Sequence, residues 1–80
     1  MSEPIRRVLI ANRGAIATRV QRTLRKLGVE SVAVYAEADH ASRHVADADA
    51  AVSLGDGAAS ATYLDVGRIL AAARETGAQA

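Results

Sequence analysis

The chain has no cysteine, no phenylalanine and no tryptophan. Without cysteine there can be no disulfide, no zinc–thiolate centre and no thiol nucleophile. Two tyrosines are the only aromatic platforms, too few for stacking on bases, so no nucleic-acid partner is expected. The opening residues, Met1-Ser-Glu-Pro-Ile-Arg-Arg7, contain no apolar signal core. No window approaches the roughly 20 apolar residues of a membrane span. The expectation is a cytoplasmic chain with no membrane contact. The single lysine, Lys26, belongs to no Gly-Lys-Ser/Thr loop, which excludes a Walker-type phosphate loop. Acidic side chains are missing from one stretch. Seven of the ten basic residues lie between Arg6 and Lys26, where Glu3 is the only nearby acid. The net charge of +1 by itself implies no polyanionic partner. The basic stretch suits an anionic ligand, an acidic partner face or a solvated helix surface.

What remains is mostly Ala, Val, Leu and Ile, within 80 residues. That length allows one small domain of modest stability. Arg7 to Ala11 is an apolar run without alternation, as in a strand buried on both faces of a parallel sheet. A helix is predicted from Gly14 to Leu27, with Ile16, Val20, Leu24 and Leu27 along its inward stripe and Gly28 ending it. Ser31 to Ala36 reads as a second strand and Ser42 to Asp47 as a short helical turn. Ala50 to Leu54 reads as a third strand, followed by the loop Gly55 to Ser60. Asp65 is the predicted N-cap of a last helix, which faces inward through Val66, Ile69, Leu70 and Ala73 and closes at Gly77. Strands alternating with helices imply an α/β fold with a parallel sheet of three strands and right-handed crossovers.

The junction Ala11-Asn12-Arg13-Gly14 joins the first strand directly to a helix N-terminus, where unpaired N–H groups and the positive dipole end gather. Asn12-Arg13-Gly14-Ala15-Ile16-Ala17 approximates the dinucleotide-binding Gly-x-Gly-x-x-Gly/Ala, with Glu37 near the place of a ribose-binding carboxylate. Asn12 stands where the first glycine belongs, and Arg13 intrudes where a pyrophosphate would approach. The other reading is structural: Asn12 caps the helix and Gly14 permits a tight turn. His40 and His44 are four apart beside Asp39, but in loop-like sequence they read as two surface histidines, and no metal site is expected. Glu37 and Asp39 show no acid–base pairing, and Ser42 and Ser60 have no recognisable base. Asp56 reads as a turn residue.

Several of these segments occur in the same order in one family. They are Val8-Leu-Ile-Ala-Asn-Arg-Gly14 with Ile16-Ala17 and Arg19, Leu27-Gly28, Val32-Ala33-Val34-Tyr35, Ala38-Asp39, His44-Val45, Ala48-Asp49 and Thr62-Tyr63-Leu64. The chain resembles the N-terminal subdomain of the biotin carboxylase module of biotin-dependent carboxylases along nearly its whole length. Ala15 replaces the glutamate that most members place after Asn-Arg-Gly, and Ser53 to Leu64 lacks their Gly-Pro-rich form. Both departures are similar to the urea carboxylase branch, which includes enzymes acting on guanidine.

The resemblance implies a Rossmann-like subdomain of the kind that precedes an ATP-grasp domain, truncated here before its next strand, with one sheet edge left uncovered. It implies ATP, Mg and biotin in the parent protein and none bound by these 80 residues alone. Bicarbonate would be activated as carboxyphosphate and biotin carboxylated, with urea or a relative as final acceptor. No catalytic residue carries over. Asn12, Arg13 and Gly14 would form a structural turn or active-site wall. The expected partner is the rest of the carboxylase chain. Arg19, Arg22 and Lys26 match a homodimer surface of bacterial relatives, where Lys26 replaces a glutamate and sets like charges against each other. Two other roles are open: a free-standing nucleotide-binding module, and an interaction domain acting through the basic first helix.

Overall fold

Strand β2 (Glu30–Tyr35) is the centre of a three-stranded parallel sheet, between β1 (Arg7–Ile10) and β3 (Ala50–Ser53). The structure is a computed structural model that describes residues 4–80, with Ser60 described by its backbone alone. Residues 1–3, with Glu3 among them, and the Ser60 side chain lie outside the described residues. Ser31 to Val34 are buried, because β2 is covered on both faces. In register, Leu9 lies opposite Val32 and Val34 opposite Val52, so these four share one face. Three helices complete the fold: α1 (Gly14–Lys26), α2 (Arg43–Ala46) and α3 (Val66–Thr76). α1 and α2 pack on each other and on β2, and α3 packs on β2 through the face that carries Val34. Val34, Leu54 and Ala72 form the core beneath α3, joined by Leu9, Val52, Tyr63 and Ile69.

The helix ends follow the sequence closely. Gly28 is left-handed at φ +72. The Gly28 N–H donates to the Arg25 carbonyl and the Val29 N–H to the Leu24 carbonyl, at 3.1 and 2.9 Å. This is the paired closure of a Schellman motif. Asp65 caps α3 by accepting the Arg68 N–H at 3.1 Å, and Gly77 ends it at φ +73.

Four expectations need correction. Asn12 does not cap α1; Arg13 holds the N-cap position, and no side chain satisfies the first turn. The inward face of α1 is Ala17, Gln21 and Leu24, while Ile16 and Leu27 are 61% and 70% exposed and Val20 also faces outward. Small Ala17 allows close approach to the sheet, and Gln21 is held inside by donating to the His44 carbonyl at 2.6 Å. In α3 the inward residues are Ile69, Ala72 and Ala73, with Val66 and Leu70 turned outward. Strand β1 is only half-buried at Arg7 to Leu9, because it is one of the two outer strands of the three.

The outer edge of β1 is also less open than expected. The Gln79 N–H donates to the Arg7 carbonyl at 2.9 Å, and the Leu9 N–H donates to the Ala80 carbonyl at 2.7 Å. The last residues therefore run beside β1 in its own direction, and the Gln79 side chain fastens the Arg6 N–H and the Pro4 carbonyl.

Candidate functional site at the strand ends

The segments leaving β1 and β2 meet at the carboxyl rim of the sheet, where open α/β folds place their ligands. They are tied together by three side chains. The Tyr63 O–H donates to Asp39 Oδ2 at 2.6 Å, and the Tyr63 oxygen accepts the Ala36 N–H at 3.0 Å. Arg13 Nη1 donates to the same Asp39 oxygen at 3.3 Å. The Arg13 guanidinium also lies over the Tyr63 ring, 4.9 Å from its centroid. Arg13 comes from the turn after β1, Asp39 from a one-turn 3-10 helix (Glu37–Asp39) after β2, and Tyr63 from the segment before α3. One half-buried carboxylate thus joins three loops far apart in sequence.

The electrostatics agree with this arrangement. The Tyr63 hydroxyl holds the Asp39 carboxyl below its ordinary value, with Arg13 adding to the effect and desolvation opposing it. Burial pushes the Tyr63 phenol above its ordinary value, and the Asp39 carboxylate adds to that. Both shifts favour one state, with Asp39 ionised and Tyr63 neutral.

Of the residues singled out in the sequence, Arg13 enters this cluster, and Gly14 supplies the turn at φ +66. Asn12 is exposed and lines, with Ala11, Arg13, Ala59, Tyr63 and Leu64, a cleft of about 210 Å³. Glu37 is not turned toward the start of α1; its carboxylate accepts the Ser53 hydroxyl at 2.6 Å. Arg13 is itself engaged with Asp39 and Tyr63, so nothing in the geometry favours dinucleotide binding over a structural corner.

The pair of surface histidines is corrected. His40 is exposed, whereas His44 is 2% exposed. His44 Nε2 lies 3.2 Å from the Val34 carbonyl, and its Nδ1 is buried without a partner, as is Gln21 Oε1. The turn that sequence placed on the surface is a plug between α1 and the sheet. Among the described residues no three His, Cys, Asp or Glu side chains gather as a metal site. Arg19, Arg22 and Lys26 are exposed on α1 and form no ion pair among the described residues. Nothing in the residues flanking Asp39 marks it as a partner of Tyr63. The available signal was that Asn-Arg-Gly, Ala-Asp and Thr-Tyr-Leu recur together in the family resembled.

The chain is similar to known proteins along its whole length. The family model described as biotin carboxylase, N-terminal domain, matches residues 4–80. Urea amidolyase of Lachancea kluyveri is 51% identical over 80 residues, which is 100% of this chain and 4% of that protein. The mitochondrial methylcrotonoyl-CoA carboxylase subunit alpha of Rattus norvegicus is 54% identical over 76 residues, 95% of this chain and 11% of that one. The crystal structure of Kluyveromyces lactis urea carboxylase superposes with a TM-score of 0.93 at 51% identity, covering 98% of this chain and 7% of that structure. The chain therefore spans a small part of the larger carboxylases it matches. No helix of the described residues is long and apolar enough to cross a membrane.

Proposed function

We propose, from the premise that this chain belongs to the biotin carboxylase N-terminal domain family, that it forms one wall of a biotin carboxylase module within a larger ATP-dependent carboxylase. The observation that carries this reading is the agreement of sequence and fold with urea amidolyase and urea carboxylase from end to end. Residues 1–80 act in this reading as a partial N-terminal subdomain, followed in the larger protein by a further strand and an ATP-grasp domain. Its part is scaffolding. Asn12 and Arg13 line the cleft and Gly14 turns the chain into α1, and the Arg13–Asp39–Tyr63 cluster fixes where that corner stands. Arg19, Arg22 and Lys26 make a basic face on α1, and Lys26 in place of the relatives' glutamate counts against their homodimer contact.

ATP, Mg and biotin belong to the larger protein. No catalytic residue of the family carries over to residues 1–80, so no chemical step is assigned to them in this reading. With those groups bound, the module would carboxylate biotin from bicarbonate. We place the protein in the urea branch, on the strength of Ala15 and the segment Ser53 to Leu64; a cytoplasmic location is our working assumption. Identity alone does not separate urea from acyl-CoA acceptors, since the methylcrotonoyl-CoA carboxylase subunit is as similar.

The test is an assay on the purified larger protein that contains this sequence. ATP cleavage should require both bicarbonate and biotin, and urea should raise it more than an acyl-CoA or pyruvate. Cleavage indifferent to bicarbonate would overturn the reading, and stimulation by an acyl-CoA alone would remove the urea branch.

A further inference from the structure

The side of α1 that the sheet does not use forms an open groove against α2, with a volume of about 860 Å³. Ile16 and Val20 are its large apolar lining residues, and Ile16 is 61% exposed. Its rim carries three guanidinium groups, from Arg19, Arg22 and Arg43, and no lining residue is acidic. Arg43 has a weak exposed pairing with Asp47 at 3.4 Å, whereas Arg19 and Arg22 have no ion pair among the described residues. Apolar side chains are thus left in water beside uncompensated positive charge. His44 is buried beneath the same groove.

The geometry points to one occupant: a segment from another part of the assembled carboxylase that carries carboxylates around one or two aliphatic anchors. The inference rests on the domain reading above and names the partner of that surface. Charge decides between this and a second copy. A two-fold contact brings the same patch against itself, and α1 from Gly14 to Lys26 contains no acid. The patch holds no carboxylate, so Arg19, Arg22 and Arg43 would face only cationic or neutral side chains of the second copy's patch. A carboxylate-rich segment instead neutralises the rim while its aliphatic groups cover Ile16 and Val20. The relatives leave ample chain to supply it, since the matched region is 4% of the urea amidolyase.

The experiment uses the larger protein with Ala15, which lines the groove, replaced by photoreactive p-benzoylphenylalanine. After irradiation, cross-linked peptides are sequenced by mass spectrometry. The expected product joins α1 to a peptide outside residues 1–80 that has at least two Asp or Glu flanking an aliphatic residue. The double variant Arg19→Glu/Arg22→Glu should reduce its yield by about tenfold or more. Both side chains are exposed, so the fold should survive; a second arm in the unmutated protein raises the salt concentration, which should lower the yield in the same sense. A cross-link to α1 of a second copy, a peptide without acids, no product at all, or a yield indifferent to charge reversal and salt would each overturn the proposal. Loss of the domain reading is separate: it shows as ATP cleavage that does not need bicarbonate, whatever the cross-link.

Discussion

Asp39 is the residue on which the strand-end cluster turns, because its one oxygen accepts from both Tyr63 and Arg13. Tyr63→Phe removes a hydrogen bond to a charged group and leaves the Ala36 N–H without its acceptor. A loss of about 1–2 kcal/mol is expected in urea denaturation, given the partial exposure of the site. The Asp39 carboxyl should move back up toward its ordinary pKa of about 3.9 in an NMR titration; an unmoved carboxyl would detach Tyr63 from it. The pH dependence follows from the two directions. Asp39 is depressed in the folded state, so its contribution is complete above the ordinary carboxylate range and is lost as pH falls through the folded value. Tyr63 is raised, so its contribution is complete below the ordinary phenol range and is lost as pH rises through the folded value. Stability from this cluster should therefore be flat between about pH 5 and 9 and fall on either side, with both falls reduced in Tyr63→Phe. His44 shows where single residues mislead. Its neighbours read as loop, so burial was not legible, and only the packing of Gln21 and Val34 around it reveals a plug. His44→Ala should cost about 2–4 kcal/mol through the cavity it leaves, whereas exposed His40→Ala should change stability by no more than about 0.5 kcal/mol.

Helices were legible at their ends and less so in their faces. Asp65, Gly28 and Gly77 act locally, through hydrogen bonds and φ angles within a few residues, so their roles could be read directly. The orientation of α1 depends on what it packs against. Beside a sheet and a short α2, small Ala17 and polar Gln21 fit inward, and the larger Ile16, Val20 and Leu27 turn out. A hydrophobic stripe predicts only that some surface will be covered, and here that surface lies beyond these 80 residues in our reading. The start of α1 carries a specific consequence. It has no acid in the first turn and no side-chain cap, so Ala15→Glu should stabilise the chain by about 0.3–1 kcal/mol through the helix dipole. Asp65→Ala, which removes a cap that is present, should cost about 1 kcal/mol. Thermal melts of the two variants side by side check both signs.

At the scale of the whole molecule, the order of strands, helices and crossovers was legible because alternation of apolar runs and amphipathic stretches fixes it. The meeting of Arg13, Asp39 and Tyr63 was not, because it joins positions up to 50 residues apart that only the folded sheet brings to one rim. The isolated chain has a small core centred on Val34, Leu54 and Ala72 and several large apolar side chains in water. Marginal stability is therefore expected, and a cooperative monomeric melt far above room temperature would contradict it. In our proposal these residues are an exchangeable wall of a biotin carboxylase module. This is tested most directly by grafting residues 1–80 in place of the matching segment of Kluyveromyces lactis urea carboxylase and measuring bicarbonate-dependent ATP cleavage. The chimera should turn over within about tenfold of the parent, a barrier change of no more than about 1.4 kcal/mol. A folded chimera whose rate falls by about a thousandfold, roughly 4 kcal/mol, would contradict it.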